Sequence, residues 1–96
     1  DTIVIDATID LRKNNPSMDV SPNPTKDILN VQIKHTQGAG ELLLYNILGQ
    51  LEKRKLVAKQ DQNVVLDLGE MEAGIYFLVY RSEGMFLTEK ILLEKN

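Results

Sequence analysis

Along most of this chain, apolar and polar residues alternate with a period of two. That spacing puts one face of a β-strand in a core and the other in water. In residues 3–11, Ile3, Ile5, Ala7, Ile9 and Leu11 fall on one side and Asp6, Thr8 and Asp10 on the other, which predicts a first strand. The stretch 12–17 is polar and contains Pro16, so it reads as a loop or linker. Met18-Asp19-Val20 is a short strand candidate ahead of Ser21-Pro22-Asn23-Pro24-Thr25. The two prolines remove two backbone donors and bias Ser21 and Asn23 away from helix. This segment is expected to be extended and then to turn, on a sheet edge and not in a sheet's centre.

Residues 28–35 alternate again, with Leu29, Val31 and Ile33 on one face and Asn30, Gln32 and Lys34 on the other. After a flexible turn at 36–40, residues 42–51 read as strand, tight turn, strand. Their apolar residues occupy both faces, which predicts a central strand. Gly49 supplies the positive φ that a hairpin turn demands. A strongly charged strand at 52–57 and a polar loop at 58–63 follow. Val64, Leu66 and Leu68 then alternate with Val65, Asp67 and Gly69. Residues 70–74 form a compact turn with room for one helical turn, and Gly74 serves it as Gly49 serves the hairpin. Residues 75–80 are the most β-prone stretch, residues 82–85 turn the chain, and 86–94 form the last strand with Leu87, Ile91 and Leu93 on one face. No stretch sustains a helical period. Seven or eight short strands bounded by turns predict an all-β fold, an antiparallel immunoglobulin-like β-sandwich.

Composition narrows the picture. The 96 residues suffice for one small domain, and the apolar share of 43% suits a thin sandwich better than a thick bundle. A net charge of −3 is no footprint for nucleic acid or an anionic membrane surface. The basic cluster Lys53-Arg54-Lys55 is read as guarding an exposed edge against pairing, with a phosphate contact as the alternative. The absence of cysteine excludes disulfides and thiolate metal sites and is compatible with passage through an oxidising periplasm. No apolar run approaches the roughly 20 residues that span a bilayer as a helix. The chain begins at Asp1 without Met or a signal peptide; the expectation is a piece of a longer protein, its end.

Candidate chemistry is sparse. His35 is the one histidine; with no Cys and no second His beside it, solvation at a strand end is the expectation and not a metal site. Ser17, Ser21 and Ser82 lack a base other than His35. The 14 carboxylates show no calcium-loop spacing and read as a solvating surface. No cofactor is expected, and the chain is read as a non-enzyme. Gly49, Gln50 and Gly74 are assigned to turns, Gln50 with receptor contact as its alternative. Pro22 and Pro24 are read as stiffening the entry of a strand and preventing edge pairing, against a polyproline recognition strip.

Four motifs in register carry a family resemblance. They are Pro22-Asn23-Pro24 with Thr25 and Leu29-Asn30-Val31; Leu44-Tyr45-Asn46-Ile47-Leu48-Gly49-Gln50; Leu66-Asp67-Leu68 leading through Ala73 to Gly74-Ile75-Tyr76-Phe77; and Glu89-Lys90-Ile91-Leu92-Leu93. Over residues 21–96 the chain resembles the C-terminal sorting domain of type IX secretion substrates. It departs in having Ser21 before Pro22 and in closing on Glu94-Lys95-Asn96. The resemblance implies a folded address label that directs an N-terminally linked cargo through the periplasm and across the outer membrane. The implied partners are the type IX translocon and a sortase-like cysteine peptidase that removes the label, leaving the cargo on the cell surface or secreted. Residues 1–17 are then an N-terminal strand and linker to the cargo, with cleavage expected within 11–19, and 18–96 are the sorting domain. Pro22, Asn23, Pro24, Gly49, Gln50, Gly74 and Tyr76 are its structural motif residues. Lys90, Ile91, Leu92, Leu93, Glu94, Lys95 and Asn96 are its candidate recognition residues, read by edge pairing or through the terminal carboxylate.

The reading from another class is an adhesion or carbohydrate-binding sandwich attached to a secreted hydrolase. Three Tyr and no Trp count against sugar stacking. The apolar face of residues 3–11 needs cover, so that strand is expected to join a sheet edge, including by exchange between two chains as a dimer.

Overall fold

The computed structural model describes residues 15–36, 38–59 and 63–95. Those residues form seven strands and no helix: β1 (Ser17–Ser21), β2 (Ile28–Lys34), β3 (Gly40–Asn46), β4 (Leu51–Val57), β5 (Asn63–Asp67), β6 (Gly74–Ser82) and β7 (Met85–Leu93). They build two antiparallel sheets, one ordered β1-β2-β5 and the other β4-β3-β6-β7. The chain crosses between sheets after β2, β4 and β5, while β3–β4 and β6–β7 are hairpins within one sheet. This is the predicted immunoglobulin-like sandwich. The expected strand at 3–11 lies outside the described residues.

Alternation decides which side chains enter the core. In β2, Leu29, Val31 and Ile33 are buried and their neighbours exposed. In β6, Tyr76, Leu78 and Tyr80 turn inward. Together with Met18, Val64 and Leu66 from the three-stranded sheet and Leu42, Leu44, Ile91 and Leu93 from the four-stranded one, they make one contiguous core. Burying one such aliphatic side chain stabilises the fold by about 1.5–3 kcal/mol. β3 lies between β4 and β6, and Leu42, Leu43 and Leu44 are all buried, as its two apolar faces predict. No buried side-chain nitrogen or oxygen among the described residues lacks a partner.

Turns follow their local chemistry. Ser82 and Met85 pair across Glu83 and Gly84, which have φ of 33° and 76°, the two positive values a two-residue hairpin needs. At 69–73 there is no helical turn; a bond from the Met71 amide to the Leu68 carbonyl (3.1 Å) closes the corner. The Tyr76 hydroxyl donates to the Glu72 carbonyl at 2.6 Å. A tyrosine at the start of this strand, bonded back to the preceding corner, is a hallmark of immunoglobulin-like sandwiches.

Candidate functional site

Two motifs far apart in sequence meet at the edge of β7. One side of β7 pairs with β6, from Gly74↔Leu93 to Ser82↔Met85. Its other side is an outer edge of the four-stranded sheet. The Pro-Asn-Pro segment closes on that edge. Ser21–Pro22 and Asn23–Pro24 are cis peptide bonds, and the Asn23 amide stands between them. Asn23 Nδ2 donates to the Lys90 carbonyl at 2.8 Å, and the Leu92 amide donates to Asn23 Oδ1 at 3.0 Å. Two residues on, the Thr25 amide donates to the Leu92 carbonyl (2.9 Å) and the Glu94 amide to the Thr25 carbonyl (2.8 Å). Thr25 is 1% exposed, and its hydroxyl donates to the Ile28 carbonyl at 2.5 Å. One side chain and one residue of backbone thus act as a short strand along β7, satisfying groups that an open edge would offer to another chain.

This clasp sorts the candidate recognition residues. Ile91 and Leu93 face the core, opposite Tyr76 and Gly74. Lys90 and Leu92 face outward, and Glu94 and Lys95 are exposed beyond the strand. Lys95 Nζ donates to the Gly69 carbonyl at 2.8 Å. Asn96 lies outside the described residues. The Lys90 carbonyl, the Leu92 amide and carbonyl and the Glu94 amide are already bonded along this edge in the folded domain.

The β3–β4 turn is organised by Asn46, which sequence reasoning passed over in favour of Gly49 and Gln50. Asn46 Oδ1 accepts from the Leu48 amide (2.9 Å) and the Gln50 amide (3.0 Å). Its Nδ2 donates to Gln50 Oε1 (2.9 Å) and Glu52 Oε2 (2.7 Å). Backbone bonds from the Gly49 amide to the Asn46 carbonyl and from the Asn46 amide to the Gln50 carbonyl, each 3.0 Å, complete the loop. Gly49 sits at φ 81°, as expected, and Gln50 is held within the turn. The signal was present: an Asn two residues ahead of the amide it captures is a known turn former.

A family model described as a secretion system C-terminal sorting domain matches residues 19–94. The chain belongs to this family. No curated protein and no solved structure is found to match it. The protein is thus a type IX sorting signal, whose route is secretion through the outer membrane and whose family serves sorting and not catalysis.

The sorting domain's remaining polar groups serve the fold. Glu41, on β3, accepts from Arg54 (3.2 Å) and Arg81 (2.9 Å). The Arg54 hydrogen bond holds its carboxyl below the ordinary glutamate range against the desolvation that raises it, with the Arg81 hydrogen bond and the two guanidinium charges adding to the lowering, and Glu41 raises Arg54 in turn. Burial pushes the Tyr76 hydroxyl up, with the Glu52 and Glu72 carboxylates adding to it. β4 is an edge strand, as the edge-guarding reading of Lys53-Arg54-Lys55 requires. Lys53 and Lys55 share a small gap with Leu42, Leu44, Leu66 and Leu78, their stems over apolar surface and, for Lys55, the ammonium 3.5 Å from the Val65 carbonyl. Ser82 is buried and donates to the Ala39 carbonyl, while His35 is exposed at the end of β2. No group of metal-ligating side chains occurs among the described residues.

Proposed function

We propose that this domain is a folded export label, read at the outer membrane by the type IX translocon while attached to a cargo on its N-terminal side. The family match carries this reading, because it runs from Asp19 in β1 to Glu94 beyond β7 and so takes in all of the sandwich except the first two residues of β1. The domain performs no catalysis of its own. A sortase-like cysteine peptidase removes the label after transit, and the cargo is released or attached to surface lipopolysaccharide. Cleavage falls within 11–19, on the N-terminal side of Ser17. Supporting that position, Met18 is 5% exposed and paired with Ile33, and a peptidase needs a strand it can draw out. The strand expected at residues 3–11, which lies outside the described residues, is proposed to pair with a sheet edge of its own sandwich or of a second copy.

The test fuses the chain to an inert reporter in a bacterium that has the machinery. The expected result is reporter in the medium or on the surface, with the label gone and its new C-terminus, read by mass spectrometry, before Ser17. Reporter held in the periplasm overturns the export reading; a cut inside the sandwich overturns the cleavage position. Sedimentation and amide exchange of the full chain test residues 3–11: a monomer at all concentrations, with those amides unprotected, overturns the pairing.

A further inference from the structure

The outward face of the four-stranded sheet is apolar where an antiparallel sheet exposed to water is ordinarily polar. Registers across β4-β3-β6-β7 align Leu51, Tyr45, Phe77 and Lys90 in one row, and Ile75 with Leu92 in the next. Their inward neighbours are Leu44, Tyr76, Leu78, Ile91 and Leu93 of the core, so these residues face the other way. Leu51 is 50% exposed, Phe77 and Ile75 38% each, and Leu92 37%. Directly beyond the Asn46↔Tyr76 pair the hairpin tip carries Ile47 and Leu48, 69% and 77% exposed, on a turn organised by Asn46. The hairpin, the 74–77 segment and the tail, remote in sequence, therefore contribute to one surface.

We propose that this face is the docking surface of the sorting domain and that it fits an apolar surface of a protein of the export machinery carrying a carboxylate opposite Lys90. The proposal rests on the export reading above. Charge selects the occupant. Among the described residues Lys90 has no carboxylate within ion-pair distance, whereas Arg54 and Arg81 are both engaged by Glu41. A partner acid beside an apolar contact satisfies Lys90 and excludes water from the pair. Among the described residues, the paired rows of this face carry Arg54, Arg81 and Lys90 against Glu41 alone, and both arginines already engage Glu41, so the same rows of a second copy offer Lys90 no free acid. An anionic bilayer is disfavoured by the chain's net charge of −3 and because, among the described residues of this face, Lys90 alone is an uncommitted cation. The clasp covers the β7 edge at Lys90, Leu92 and Glu94, so recognition there reads side chains on the face and not the main chain.

The test uses the full chain fused to a reporter, comparing wild type with Lys90→Glu and Phe77→Ser. Val65→Ser, on the outer face of the other sheet and 52% exposed in wild type, is the control. Each face variant is expected to lower export about tenfold or more, the loss of one central contact, while Val65→Ser exports normally and thermal melts show folded domains. If Phe77→Ser fails to fold, Lys90→Glu decides alone. Wild-type export by the folded face variants overturns the docking face and leaves the export reading standing; failure of the wild-type fusion to leave the cell overturns both. Flotation of the full chain with phosphatidylglycerol vesicles, or a dimer that Lys90→Glu or Phe77→Ser dissociates, also overturns the proposed occupant.

Discussion

Asn23→Ala removes half of the clasp and leaves the rest of the domain untouched. The side chain makes two hydrogen bonds, 2.8 Å to the Lys90 carbonyl and 3.0 Å from the Leu92 amide. Each is worth about 1 kcal/mol net. Both are exposed, so water takes over part of the loss, and the Thr25 backbone bonds to Leu92 and Glu94 keep the segment in place. The expected loss is therefore about 1–2 kcal/mol in urea titration with an unchanged slope. For a domain of this size that lowers the melting temperature by roughly 5–10 °C. The Leu92 amide loses its acceptor, so its hydrogen exchange is expected to accelerate more than that of its inward-bonded neighbours on β7. Asn23→Asp keeps the acceptor for Leu92 but sets a carboxylate beside the Lys90 carbonyl, and is expected to recover less than half of the loss. An Asn23→Ala protein within about 0.3 kcal/mol of wild type, well inside the value of one hydrogen bond, with Leu92 exchange unchanged, refutes the clasp.

Three further substitutions probe features that hold the signature motifs in place. At Gly40 an added Cβ would stand 2.5 Å from the Tyr80 hydroxyl and 2.6 Å from the Arg81 carbonyl oxygen; Gly40→Ala is expected to cost about 2–3 kcal/mol, read by chemical denaturation, and a neutral result refutes the close approach. Tyr76→Phe removes the 2.6 Å bond to Glu72 and is expected to cost about 1 kcal/mol. The Tyr76 hydroxyl is shifted up in the folded state, so its contribution is full below the ordinary tyrosine value of about 10 and is lost as pH rises through the folded value. Wild type should therefore lose more stability above that pH than Tyr76→Phe does, and equal slopes count against the assignment. Asn46→Ala deletes two acceptor and two donor bonds at the exposed hairpin and is expected to cost about 1–2 kcal/mol, with faster amide exchange at Leu48 and Gln50; unchanged exchange there refutes its organising role.

Much of the strand inventory was legible because its cause is local. Period-two alternation marks a strand whose one face is buried, and it placed Leu29, Val31 and Ile33 inward without reference to any other strand. Apolar residues on both faces at 42–45 and 75–79 marked the sheet's interior strands, β3 and β6. For β6 that pattern has a second meaning, since Ile75 and Phe77 face outward and remain 38% exposed. A single sequence does not distinguish an apolar face covered by the second sheet from one left open, because both favour the same residue types. Gly49 was readable from the φ its turn demands, and Asn46 from the same turn chemistry.

The covering of the terminal strand's edge, by contrast, was invisible. Asn23 lies 67 and 69 residues from its partners, and nothing in the composition around Pro22 and Pro24 specifies which strand they cap. Gly40 reads as an ordinary flexible turn until Tyr80 arrives against it. The sequence by itself determined the fold class, the strands and their inward residues, because hydrophobic period and turn propensity act within a few positions. Only the tertiary structure decided which tail residues remain available, Lys90 and Leu92 and not Ile91 and Leu93, and which distant motifs share a face. Those properties arise from registers between strands and from a side chain bonding across the domain, and no local rule of the chain encodes either one.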